Sequence, residues 1–167
     1  MLANMVEYYS EQQAEKIFSK IFDEINETEP CAFFDYLVKK RNADFIIEVK
    51  TAYFSGNGTL GNVVIPEQQA IKLLAQKKFL LFIIDDINKI GLFVSPKRIY
   101  EYAHLHANKL NNGQRTIVMK VRRSNNILTL VEPVRCRTCL GSLKDFAIKY
   151  EKNEKKIQAV SVQAVQT

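Results

Sequence analysis

FFDYLVKKRNADFIIEVKT, residues 33–51, decides the fold. Two apolar runs, about Ala32 to Val38 and Ala43 to Ala52, flank the polar turn Lys39 to Asn42, which is the pattern of a β-hairpin. A turn symmetric about Arg41 and Asn42 pairs Lys40 with Ala43 and sets Asp35 directly opposite Glu48. Opposed residues share a sheet face with Cβ atoms roughly 4.5–5.5 Å apart. Glu48 and Lys50, two apart on one strand, share that face too. The hairpin therefore predicts that Asp35, Glu48 and Lys50 converge.

Two carboxylates that close repel each other, so the pair either holds a proton or binds a cation. A hard divalent ion such as Mg²⁺, with Mn²⁺ as a substitute, suits two carboxylate oxygens, a backbone carbonyl and several waters. A lysine beside it is equipped to stabilise charge on a phosphate or place a water, which is the chemistry of phosphodiester hydrolysis. An E-x-K pair on a strand also makes ordinary solvent-facing salt bridges. Here, however, Phe33, Phe34, Phe45, Ile46 and Ile47 surround the charged residues.

Working outward, residues 7–26 carry Ala14, Ile17, Phe18, Ile21, Phe22 and Ile25 at helical spacing, with Ser10 as a local N-cap. FSGNGTLGN after the hairpin reads as a flexible Gly-rich loop. Pro66 opens a helix through Lys77 and Lys78, FLLFII is a strand buried on both faces, and IGLFV is its hairpin partner. Ser95 and Pro96 start a third helix through Leu110. Arg115 to Val131 is a hairpin turning at Ser124 to Asn126, a short helix lies around Leu143 to Tyr150, and residues 151–167 form a tail. This order implies one α/β domain over residues 1–150, a central mixed β-sheet flanked by helices.

Asp35 followed by Glu48-Val49-Lys50 across a hairpin resembles the PD-(D/E)XK nuclease superfamily. Within it, FDYLV, FIIEVKT and VIPEQQAIKLLAQ look most like small archaeal Holliday-junction resolvases and related restriction-type endonucleases. The resemblance implies a restriction endonuclease-like core, and a Mg²⁺-dependent endonuclease that cuts DNA as a homodimer. Asp35, Glu48 and the Val49 carbonyl would ligate the metal, with Lys50 orienting water or stabilising charge. Gln69 would position the water or Lys50, and Glu15 would bind a second ion or a metal-bound water. Glu11 and Gln68 compete for those last two places. Gln69 is preferred because it precedes the apolar Leu73 by one helical turn.

The chain has 167 residues with 24 Lys and Arg against 18 Asp and Glu, a formal charge of +6 that favours a polyanionic partner. Lys39, Lys40 and Arg41 in the turn are candidate phosphate contacts, as are Arg115, Lys120, Arg122 and Arg123 in the later hairpin. Solvated faces account for the same charges, and a non-catalytic nucleic-acid-binding or assembly protein is the rival reading. No GxxxxGK[ST] occurs, so no nucleotide cofactor is read. An apolar span long enough for a membrane and a secretory signal are both missing from the sequence, pointing to the cytoplasm. Cys136 and Cys139 form a single C-x-x-C. His104 and His106, two apart in the expected helix, would face different ways, so the thiols read as buried or idle rather than as zinc ligands.

Overall fold

A computed structural model describes residues 2–29, 32–56, 58–85, 87–107, 113–132 and 139–144. Strands β2 (Tyr36–Lys40) and β3 (Ala43–Thr51) form the expected hairpin in the expected register, Tyr36 with Ile47 and Lys40 with Ala43. Arg41 and Asn42 at its tip both have positive φ, 49° and 63°, the backbone of a two-residue turn whose twist matches its strands.

The first helix is shorter than its periodicity suggests. Helix α1 runs Leu2–Phe18, and the chain then turns through Ser19 to Ile21 into strand β1 (Glu24–Glu27), which pairs with β2. Residues 21, 22 and 25 fit helical spacing, yet Glu24, Ile25 and Asn26 fit alternation equally well, and neither Gly nor Pro marks the break. Ser10 is accordingly not a cap. It lies buried within α1, its hydroxyl 2.8 Å from that of Thr51.

Strand β6 (Phe79–Asp85) lies parallel to β3, and β7 (Ile90–Val94) returns antiparallel to it, giving a mixed sheet ordered β1-β2-β3-β6-β7. Being central, β6 is apolar on both faces. On one face Phe82 and Ile84, with Tyr36, Val38 and Ile47, pack against Ala14 and Phe18 of α1. Each such fully buried side chain contributes roughly 1.5–3 kcal/mol. Gly91 lies under the Phe82 ring, where a Cβ would overlap it.

The other face was expected to carry helices and instead carries helices plus a second sheet. The crossover from β3 to β6 contains β4 (Tyr53–Phe54), β5 (Leu60–Pro66) and helix α2 (Glu67–Leu74). Strand β5 pairs with β9 (Thr116–Ser124), which also meets β10 (Ile127–Val131) and β8 (His104–His106), and β11 (Cys139–Ser142) completes the sheet. Val63, Ile65, Ile117, Met119 and Val121 from this sheet enclose Leu81 and Ile83 together with Leu73 of α2 and Ile99 of helix α3 (Pro96–Tyr102). Two helices end early: α2 stops before Lys77 and Lys78, and α3 stops at Tyr102, leaving His104 and His106 in a strand. The β9–β10 hairpin turns at Asn125 and Asn126, as expected. Most of the helix expected around Leu143 to Tyr150, the tail 151–167 and Cys136 lie outside the described residues. Among the described residues no helix is long and apolar enough to cross a membrane.

Candidate active site

Strand β2 stops pairing at Tyr36 while β3 continues to Thr51, which leaves the β3 edge open beyond Ile47. Asp35 accepts the exposed edge: its Oδ2 takes the Val49 N–H at 2.8 Å, and its own N–H donates to the Ile47 carbonyl. Odd residues of β3 turn their backbone groups to this edge, because Ile46 and Ala52 bond to the β6 side. Val49 thus presents its backbone where Asp35 sits.

Glu48 and Lys50 lie on one face of β3, with Lys50 Nζ 3.1 Å from Glu48 Oε1. Gln69, from the first turn of α2, donates through Nε2 to the same Oε1 at 2.7 Å and to the Phe33 carbonyl at 3.1 Å. Gln69, expected to position water or Lys50, bonds Glu48 here. Two donors therefore converge on Oε1, while Oε2 is buried without a hydrogen-bond partner. Burial first, then the charge of Asp35, push the Glu48 carboxyl up to about 8, although Lys50 and Gln69 pull the other way. An acceptor oxygen left bare in a buried place costs roughly 1–3 kcal/mol. A cation beside Oε2 and Asp35 would relieve both penalties.

These groups open onto a cavity of about 170 Å³ lined by Asp35, Glu48, Val49, Lys50 and Thr51, by Ser10 and Glu11 of α1, and by Tyr53 and Val64. That space holds an ion with several waters. The acidic residue of α1 that lines the cavity is Glu11. Glu15, the expected choice, is exposed and does not line the cavity. The helix is fixed at this height by the Ser10 and Thr51 hydroxyls and by the Tyr36 hydroxyl donating to the Glu11 carbonyl at 3.3 Å. Burial, then Glu11, raises the Tyr36 hydroxyl above its ordinary range and keeps it a donor. Nothing in helical periodicity separates Glu11 from Glu15, which are one turn apart; only the depth of α1 over β3 does.

The basic candidates divide. Lys40 and Arg41 are exposed at the hairpin tip, and Lys39 makes loose pairs with Glu24 and Asp44 at 3.9 and 4.0 Å. Arg122 is exposed. Arg123 is not a free phosphate contact: it bonds Asp85 Oδ2 at 3.3 Å and the Gly58 carbonyl at 3.1 Å, and stacks on Phe54 at 4.2 Å. Its backbone N–H also bonds the Thr59 carbonyl, so Arg123 latches the Gly-rich loop to the second sheet. Arg115 likewise is committed, in a two-pronged bond to Glu67. Alternating exposure along β9 was readable in the sequence, but the partner Asp85, 38 residues away, was not.

No family model and no curated protein matches the sequence. Among solved structures the chain is similar to a bacterial homing endonuclease, with a TM-score of 0.48 and 8% identity over 90% of this chain and 92% of that one. A likeness of that size carries no argument, so function has to be read from the side chains.

Proposed function

We propose that the chain is a metal-dependent endonuclease of the PD-(D/E)XK type acting on DNA. The observation that carries the reading is the split use of Glu48, with Oε1 held by Lys50 and Gln69 and Oε2 buried without a hydrogen-bond partner, in a carboxyl that feels the charge of Asp35. Asp35, Glu48 Oε2 and the Val49 carbonyl offer a hard oxygen set that suits Mg²⁺ or Mn²⁺. Bound there, the ion would lower the pKa of a water and screen the phosphate. Lys50 stands on the open side of Glu48, where its ammonium can meet the charge that builds on a phosphate oxygen. Gln69 keeps Glu48 from rotating, and Glu11 offers a further acceptor for a metal-bound water across the cavity.

The hairpin tip lies six residues beyond Glu48, roughly 20 Å along the strand at about 3.3 Å per residue. Lys40 and Arg41 would then meet the backbone of a duplex about six base pairs from the cut, at 3.4 Å per step. These are phosphate contacts without base readout, which suit cleavage directed by DNA structure, as in junction resolution, and the resemblance implies a homodimer that cuts both strands.

Supercoiled, linear, forked and four-way DNA incubated with Mg²⁺ or Mn²⁺ tests the proposal. Cutting should be abolished by EDTA and reduced at least ~100-fold in Asp35→Ala and Lys50→Ala, while salt-dependent binding persists. Binding without scission by the native protein would instead establish the non-catalytic alternative.

A further inference from the structure

Away from the cleft, the edge of the second sheet gathers three side chains that hydrolysis does not use. His104 and His106 occupy alternate positions of β8 and therefore turn to one face, contrary to the helical expectation. Strand β11 runs antiparallel beside them, with Cys139 opposite His106 and a bulge before Gly141. The Cys139 sulfur lies 3.2 Å from His104 Nδ1 and 3.4 Å from His106 Nε2.

A thiol has one proton and can donate to only one of those nitrogens. Both separations are close to the edge of a zinc tetrahedron, in which bonds of about 2.3 Å to sulfur and 2.05 Å to nitrogen set the two ligands roughly 3.5 Å apart. Burial lowers the pKa of both imidazoles, with His106 and Lys120 as the next causes respectively. The shift favours the neutral imidazole, the form that ligates. Among the described residues no group of three His, Cys, Asp or Glu is preformed for a metal ion, so binding would have to draw these donors together. Three protein donors nevertheless leave the fourth position of a tetrahedron open to water or to a further ligand. Cys136 of the same C-x-x-C lies outside the described residues, and the geometry does not depend on it.

We propose that His104, His106 and Cys139 bind a zinc ion that fastens β11 to β8. Thiolate and imidazole favour zinc over magnesium, whereas the cleft offers only oxygen ligands, so the chain keeps two chemically distinct cation sites. The ion closes a link between segments more than thirty residues apart, tying the chain beyond Cys139 to the second sheet. Zinc here is structural and independent of strand cutting.

The test uses the full chain, freed of metal, reloaded with zinc and passed through a desalting column before metal analysis. About one zinc per chain should remain, and Co²⁺ in its place should give the thiolate charge-transfer absorption of a tetrahedral site. Cys139→Ser and His104→Asn should each retain less than about a tenth of that zinc. Zinc should raise the melting temperature of the unsubstituted chain and leave that of Cys139→Ser unmoved, which covers the case of a variant that folds poorly. Glu48→Gln should keep its zinc, so failure of the nuclease reading and failure of this one are separable. A native chain that retains no zinc and shows no cobalt charge-transfer band, or a Cys139→Ser chain that binds either as before, overturns the proposal.

Discussion

Replacing Glu48 with Gln should make the metal-free protein more stable in alkali while removing its response to Mg²⁺. In the folded chain the carboxyl is pushed from 4.5 up to about 8, by burial first and then by Asp35. Folding therefore takes up a proton between those values. The stability that Glu48 contributes is present below pH 4.5 and lost as pH rises toward 8. Glutamine matches the neutral acid in shape and can still accept from Gln69, so it should be nearly neutral near pH 5. Between about pH 5 and pH 9 the wild-type protein loses what the variant keeps, at most roughly 4 kcal/mol at 1.36 kcal/mol per pH unit. Relaxation around Lys50, which is partly exposed, reduces this, and a swing of about 2 kcal/mol or more is expected.

Urea denaturation of both proteins in EDTA, repeated across that pH range, measures the difference, since titrating groups away from Glu48 cancel between them. Adding Mg²⁺ near pH 7.5 should then stabilise the native chain by mass action and leave Glu48→Gln unmoved. A difference that is flat with pH, or that grows toward acid, refutes the argument that a repelled carboxylate is buried at this position.

Two further outcomes follow from the neighbours of the site. Glu11→Gln should lower the cleavage rate about 10–100-fold, whereas Glu15→Gln should leave it within about twofold, because the first lines the cavity and the second faces solvent; equal effects in initial-rate assays would place α1 at another depth. Arg123→Ala should cost about 2–3 kcal/mol in urea, below the 3–5 kcal/mol of a wholly broken buried pair, because Asn88 and the Ile87 N–H still hold Asp85. The same change should leave the salt dependence of DNA binding unaltered, and a shallower slope with unchanged stability would make Arg123 a phosphate contact after all.

The hairpin was legible because its determinants are local. Alternation fixes which residues share a face, a symmetric turn fixes the register, and so Asp35, Glu48 and Lys50 could be brought together within nineteen consecutive residues. Gln69 was recoverable for the same kind of reason, since its spacing from Leu73 fixes its side of α2. The second sheet was not, because β5 finds β9 fifty residues later and nothing in either strand names its partner. Short strands also hide inside helical patterns. Residues 104–106 alternate half-buried, buried, half-buried, a period that only becomes visible once α3 is known to stop at Tyr102.

That missed boundary changes chemistry as well as topology. In a helix, His104 and His106 are about 200° apart and cannot share a ligand, whereas in a strand they are neighbours on one face. The same two residues pass from unable to able to share a ligand through a change of backbone period, with no change of sequence. Asp35 illustrates the converse. It stands one residue before β2 begins, so its carboxylate replaces a strand partner for Val49 N–H, and the cleft exists because the ladder ends there. Extending the ladder would instead give the Val49 N–H a backbone partner and leave Asp35 no open edge to cap. The end of the hairpin's ladder, as much as its charged residues, is what the proposed hydrolytic chemistry depends on.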